Sequence, residues 1–77
     1  MFLDVSILSP EEILFEGKVS SIVVPGEEGV CEILPFHKRF LSRLISGAMI
    51  IDDKPLHIKR GVVKVNQNKV LIIVETQ

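Results

Sequence analysis

The chain has 77 residues, room for one domain, and at that size folding buries only about 60% of the surface that the unfolded chain exposes. Nine basic against ten acidic residues leave a net charge of −1, which removes the electrostatic case for nucleic acid or an anionic membrane surface as ligand. Hydrophobic residues make up 47% of the chain, and the few aromatics are all Phe, so Val, Ile and Leu supply more apolar surface than so small a core hides; a protein partner is expected to cover the excess.

Residues 2–8 alternate, with Leu3, Val5 and Ile7 on one face and Asp4 and Ser6 on the other, the period of a half-buried strand. Ser9-Pro10-Glu11-Glu12 has the form of a helix start, with Ser9 as N-cap, Pro10 at the first helical position and Glu12 three residues after the cap. Gly17 arrives before a helical stripe can develop, so a single turn or less leading into a strand is expected. Residues 14–24 read as strand, interrupted at Glu16-Gly17-Lys18 by a bulge or tight turn.

The apolar run stops at Pro25, and an acidic loop punctuated by Gly26 and Gly29 comes next. Proline presets φ and glycine accepts positive φ, so the loop is read as a rigid, charged tip, the first place to look for a contact site. Residues 30–34 make a short strand that Pro35 ends. In residues 36–47, Phe36, Phe40, Leu41, Leu44 and Ile45 fall at helical spacing, Gly47 stands where a C-terminal cap would, and His37, Lys38, Arg39 and Arg43 fill the other face; periodicity alone describes a short amphipathic helix.

Residues 48–51 are uniformly apolar, Asp52-Asp53-Lys54-Pro55 is a turn, and residues 56–59 resume a strand before Gly61. Val62, Val63 and Val65 lead to Asn66-Gln67-Asn68, a turn in which asparagine tolerates left-handed geometry, and residues 70–74 return as the last strand. Successive strands with short polar turns define an all-β domain, an antiparallel sandwich or barrel, spanning 1–77 as one unit. In the last strand Val70, Ile72 and Val74 on one face and Leu71 and Ile73 on the other are all apolar, whereas a two-layer domain has one core. One face of this strand, and of residues 48–51, is therefore expected to meet another polypeptide.

Chemistry is thinly represented. Cys31, His37, His57 and Glu32 have no structural-zinc spacing, and Cys31 reads as a small apolar side chain in a reducing compartment. Ser42 and Ser46 lack nucleophile-elbow glycines. Gly26-Glu27-Glu28-Gly29 puts two carboxylates where a phosphate would sit. Lys38, Arg39 and Arg43 form too small a basic group for nucleic acid and read as a solvated face. No cofactor, metal, small-molecule substrate, nucleic-acid partner or enzymatic activity is expected. The longest uncharged runs, 19–26 and 44–51, fall far short of the roughly 20 residues that span a bilayer. Asp4 also stands where a signal peptide would be basic or apolar, so a soluble, cytoplasmic protein without direct membrane insertion is expected.

Taken together, Leu3-Asp4-Val5, Ser9-Pro10-Glu11, Phe15-Glu16-Gly17, Val24-Pro25-Gly26, Glu28-Gly29, Ile33-Leu34-Pro35, His37, Leu41, Gly47, Gly61 and the closing Val-x-Val pattern resemble the epsilon subunit of the F-type rotary ATP synthase, in order and over almost the whole chain. The resemblance implies a two-sheet antiparallel β-sandwich, the amino-terminal domain of that subunit, at the foot of the central stalk. Its partners would be the gamma subunit and the membrane rotor ring, and its place the cytoplasmic face of the energy-transducing membrane, peripheral through the complex. Glu28, Glu32 and His37 would belong to the loop side that approaches the ring. Met49, Ile51, Leu71 and Ile73 are taken as the apolar surface toward gamma.

The family usually has glycine where Glu32, Phe36 and Arg60 stand, and usually prolines in the segments where Lys38-Arg39 and Ser46 stand. The resemblance makes 39–46 a strand, which is preferred over the helix that periodicity describes. The carboxy-terminal helical hairpin of many family members has no counterpart in these residues, so its inhibitory and nucleotide-sensing behaviour is not expected. A free-standing β-sandwich adaptor that has left the synthase is the alternative.

Overall fold

A computed structural model describes residues 1–36 and 39–76; His37, Lys38 and Gln77 lie outside the described residues. Its strands are β1 (Leu3–Leu8), β2 (Ile13–Val19), β3 (Ile22–Gly26), β4 (Gly29–Ile33), β5 (Phe40–Leu44), β6 (Gly47–Ile51), β7 (Lys54–Ile58), β8 (Arg60–Asn66) and β9 (Lys69–Glu75), and no helix occurs among the described residues. They form one hydrogen-bonded path, β2-β1-β9-β8-β5-β3-β6-β7, with β4 on the other edge of β3.

The path folds over on itself where β5 meets β3. The two join at a single residue pair, Gly26 with Leu44, reinforced by Glu27 N–H donating to Arg43 C=O at 3.0 Å and Ile45 N–H to Pro25 C=O at 2.9 Å. Beyond that corner the chain continues as β6, which pairs with the start of β3 through Ile22–Ile51 and Val23–Ile50. The result is a sandwich with β2-β1-β9-β8-β5 as the first layer and β4-β3-β6-β7 as the second. Pairing is antiparallel throughout except between β1 and β9, which run parallel from Asp4–Lys69 to Leu8–Ile73. The antiparallel β-sandwich expected from the sequence stands, with this pair as its parallel exception. Antiparallel neighbours can be joined by a tight turn, whereas parallel ones need a long crossover, and here the whole intervening chain is that crossover.

Between the layers, alternate residues of the strands make one continuous core: Leu3, Val5 and Ile7 of β1, Ile22 and Val24 of β3, Met49 and Ile51 of β6, Val63 and Val65 of β8, and Val70, Ile72 and Val74 of β9, among others. Full burial of a side chain of this kind contributes roughly 1.5–3 kcal/mol. No polar or charged side chain is buried among the described residues.

The turns reflect their local chemistry. Ser9 Oγ accepts from the N–H of Glu11 and Glu12 at 3.3 and 3.1 Å, and Ser9 N–H donates to Glu12 C=O at 2.9 Å. The capping contacts form without a helix behind them and close the β1–β2 connection. Gln67 and Asn68 have φ of 51° and 64°, the two positive values of a type I′ hairpin turn, which matches the twist of β8 and β9. Asp52 and Asp53 do the same between β6 and β7, with φ of 44° and 72°.

The break between β2 and β3 lies at Ser20-Ser21, not at Glu16-Gly17-Lys18. The Asp52 carboxylate accepts from Ser20 N–H at 3.0 Å and Ser21 N–H at 3.1 Å, drawing the chain across to the β6–β7 turn. Gly17 stays inside β2, opposite Val5. Residues 40–44 are strand and not helix: β5 pairs with β8 from Phe40–Val65 to Leu44–Gly61, and those ladder bonds outweigh a helical spacing that no partner surface rewards.

Candidate interaction surface

The outer face of the first layer is built by strand alternation. Since Val63 and Val65 of β8 and Val70, Ile72 and Val74 of β9 point into the core, Val62, Lys64, Leu71 and Ile73 must point out. Residue pairing then aligns Arg43, Val62, Ile73, Leu8 and Ile13 in one row across β5, β8, β9, β1 and β2. The next row is Leu41, Lys64, Leu71, Ser6 and Glu16. Val62, Ile73, Leu8 and Ile13 thus form an apolar band across four strands, widened by Leu71 and by Leu41, which is 70% exposed. Ile73 is 49% exposed although it sits on the middle strand of the layer.

The rim of the band is charged. Arg60 Nε and Glu75 Oε2 pair at 3.2 Å at one end of the β8–β9 ladder, where both side chains are largely in solvent. Such a pair contributes at most about 1 kcal/mol. At the other end Lys69 lies opposite Asp4, and Asp4 opposite Lys18. On the β5 side a shallow depression of about 360 Å³ is lined by Glu27, Glu28, Leu41, Ser42, Arg43 and Val62.

The residues singled out from the sequence fall in different places. Leu71 and Ile73 lie on the band. Met49 and Ile51 do not form an outward surface: they are 0% and 7% exposed and belong to the core. The β6–β3 pairing sets their direction, because Ile51 opposes the inward Ile22, and Ile50 opposes Val23 on the outside. Glu28 occupies the two-residue turn between β3 and β4, beside the band rather than on a long loop. Glu32 is exposed on β4, across from Val23. His37 lies outside the described residues.

The segment just before it, at Phe36, docks at the far end of β8, where Phe36 N–H donates to Asn68 Oδ1 at 2.6 Å. Glu28 and Phe36 are therefore separated by the length of β5, about 13 Å at the usual rise per residue. Val62, Leu8 and Ile13 carry no surface role in the sequence reading, and Leu41 enters it only through its helical spacing and the family resemblance. The signal for Val62 was present: once Val63 and Val65 are in phase with the core, the extra valine has to face outward.

Among the described residues no group of three or more His, Cys, Asp or Glu side chains is placed to hold a metal ion, and no helix is long and apolar enough to cross a membrane. What the geometry offers is a broad apolar surface with a charged border, the property of a β-sandwich interaction module. Comparison with known proteins agrees in fold and in sequence. Residues 2–77 match the family described as ATP synthase, Delta/Epsilon chain, β-sandwich domain, and the chain belongs to that family.

The ATP synthase epsilon chain of Leptospira borgpetersenii serovar Hardjo-bovis (strain JB197) is 39% identical over 77 residues, covering 95% of this chain and 61% of that protein. That of Campylobacter concisus (strain 13826) is 35% identical over 78 residues, covering 95% and 60%. The chain thus spans about three fifths of the length of these relatives. The fold also matches a chain in a cryo-EM structure of the Tetrahymena thermophila mitochondrial ATP synthase central stalk and c-ring, with a TM-score of 0.83, 19% identity, and coverage of 95% of this chain and 63% of the other.

Proposed function

We propose that this domain is a non-catalytic central-stalk part of a rotary, proton-translocating ATP synthase, which couples the gamma subunit to the membrane rotor ring during ATP synthesis. The observation that carries the reading is the family match over residues 2–77, joined to an exposed apolar band on the middle strands of the first layer. In this reading gamma covers the band, with Leu71 and Ile73 at its centre. The free edge of β4, bearing Glu32 and bounded by Glu28 at one end and Leu34 at the other, turns toward the ring, and His37 is read as a further ring contact. The domain associates with the cytoplasmic face of the membrane through the complex and inserts no segment of its own.

The test is to mix the chain with its cognate gamma subunit and look for a stable complex on a sizing column. Co-elution at micromolar concentration supports the rotor reading. Separate elution overturns it in favour of a free-standing β-sandwich adaptor.

A further inference from the structure

The apolar band carries one charge within it. Lys64 points outward from β8 with Leu41 opposite on β5 and Leu71 opposite on β9. Along its own strand the outward neighbours are Val62 and Asn66, and diagonally they are Arg43, Lys69 and Ile73. None of these is acidic. Among the described residues Lys64 makes no ion pair; the bridge present joins Arg60 to Glu75, four positions further along β9 than Leu71. Glu16 lies in the same row but three strands away, roughly 14 Å at the usual strand spacing. Asp4 stands between Lys69 and Lys18, and Glu27 and Glu28 share their depression with Arg43.

A polypeptide seated on the band has to cover Leu41, Leu71 and Val62, and so it also covers the ammonium between them. Desolvating an ammonium without an opposite charge is unfavourable, and a lysine stem relieves that cost only by reaching the rim. The way out past Asn66 leads toward Lys69, a like charge, and on the β5 side the Glu27 and Glu28 carboxylates already share their depression with Arg43. We infer that the element docking on this face is an amphipathic protein segment that carries a carboxylate opposite Lys64, making Lys64 the charge that selects the partner and fixes its register. This rests on the reading of the band as the gamma side. An anionic lipid surface would also supply negative charge; the family match over residues 2–77 favours a protein partner, and the vesicle arm of the experiment separates the two.

The experiment measures affinity of the full chain for the cognate gamma subunit, at low and high salt, for the wild type and for Lys64→Met, Lys64→Glu and Lys64→Arg, with Lys54→Met on the distant β7 as control. Lys64→Met should weaken binding about 30-fold or more, since it leaves the partner carboxylate buried and unpaired. Lys64→Glu should weaken it further, while Lys64→Arg and Lys54→Met stay near the wild type. Because Lys64 is exposed, the melting temperatures of all four variants should match the wild type, so a lost complex is not a lost fold.

Wild-type affinity for Lys64→Met, or tighter binding, overturns the inference while leaving the gamma reading standing. Absence of binding by the wild type overturns the gamma reading and this inference with it. Flotation of the wild type, and not of Lys64→Met, with vesicles of phosphatidylglycerol and phosphatidylcholine overturns the protein partner in favour of a membrane.

Discussion

The two outer faces of this sandwich are both apolar, yet they place their apolar residues differently. On the first layer the exposed large residues run from Ile13 and Leu41 on the edge strands through Val62, Leu71 and Ile73 on the inner strands β8 and β9, where a free sheet would show polar side chains to water. On the second layer the inner strands present Val23, Ala48 and Ile50, which are only half-exposed. Its exposed residues sit at the margins: Val30 on the edge strand β4, Leu34 beyond its end, and Ile45 at the corner where β5 leads into β6. An apolar band that runs unbroken through the centre of a face is the arrangement on which the proposed docking rests, whereas scattered apolar residues at the margins are ordinary for a protein surface. The difference teaches that abundance of apolar residues alone does not mark a docking surface; position within the sheet does.

The sharpest way to break this distinction is to put the same charge on the inner and outer face of the molecule. Met49→Asp places an unpaired carboxylate in a fully closed core and is expected to unfold the domain, because the cost of several kcal/mol approaches the total stability of about 4–12 kcal/mol for a chain of this length. Ile73→Asp should leave the circular-dichroism melt within a few degrees of wild type and abolish the gamma complex. If Ile73→Asp unfolds the domain as well, the band is part of the core and not a docking surface.

A milder version compares neighbours on one strand. Ile72→Ala removes a fully buried side chain and should cost about 2–5 kcal/mol in chemical denaturation. Leu71→Ala, one residue away on the outer face, should cost less than about 1 kcal/mol and weaken gamma binding instead. Gly61→Ala probes a close approach between β8 and β9. A methyl there would sit 2.6 Å from the Ile73 carbonyl oxygen and 2.8 Å from Val74 Cγ1, so the strands would have to part, at about 1–3 kcal/mol. Since the strain would spread into the band at Ile73, Gly61→Ala should also lower affinity for gamma, which a purely peripheral residue would not.

Much of this architecture was legible because polar residues mark phase. In β1 the alternation of Asp4 and Ser6 with Leu3, Val5 and Ile7 fixes which face is inward, and β9 announced two apolar faces of which one had to be covered from outside. In residues 48–51 no polar residue marks the phase, so Met49 and Ile51 could not be told from Ala48 and Ile50 until the Ile22–Ile51 pairing was known. The parallel β1–β9 pair and the closure between Ser20-Ser21 and Asp52 are contacts between residues far apart in the chain, which no local pattern encodes. The Ser9 motif shows the converse: its capping chemistry is real, but the ladder that β2 joins decides whether the chain beyond the cap is helix or strand.

The smallest expected effect lies at the margin of the sandwich. Phe36 has φ of 67°, a left-handed conformation that a bulky side chain adopts at a cost of about 1–3 kcal/mol, and the residue is 72% exposed, so little burial offsets that cost. What holds the backbone there is the hydrogen bond from Phe36 N–H to Asn68 Oδ1, with Asn68 itself fixed in the hairpin turn and its carbonyl accepting from Asp4 N–H at 2.8 Å. Phe36→Gly removes the strain but adds roughly 0.5–1 kcal/mol of unfolded-chain entropy, so a net gain of about 1 kcal/mol is expected. Asn68→Ala should remove that gain, because without the acceptor nothing selects the left-handed backbone. Since the residue lies away from the band, Phe36→Gly should leave gamma affinity unchanged; a loss of affinity would mean that the interface extends beyond the band to the Asn66 end of β8.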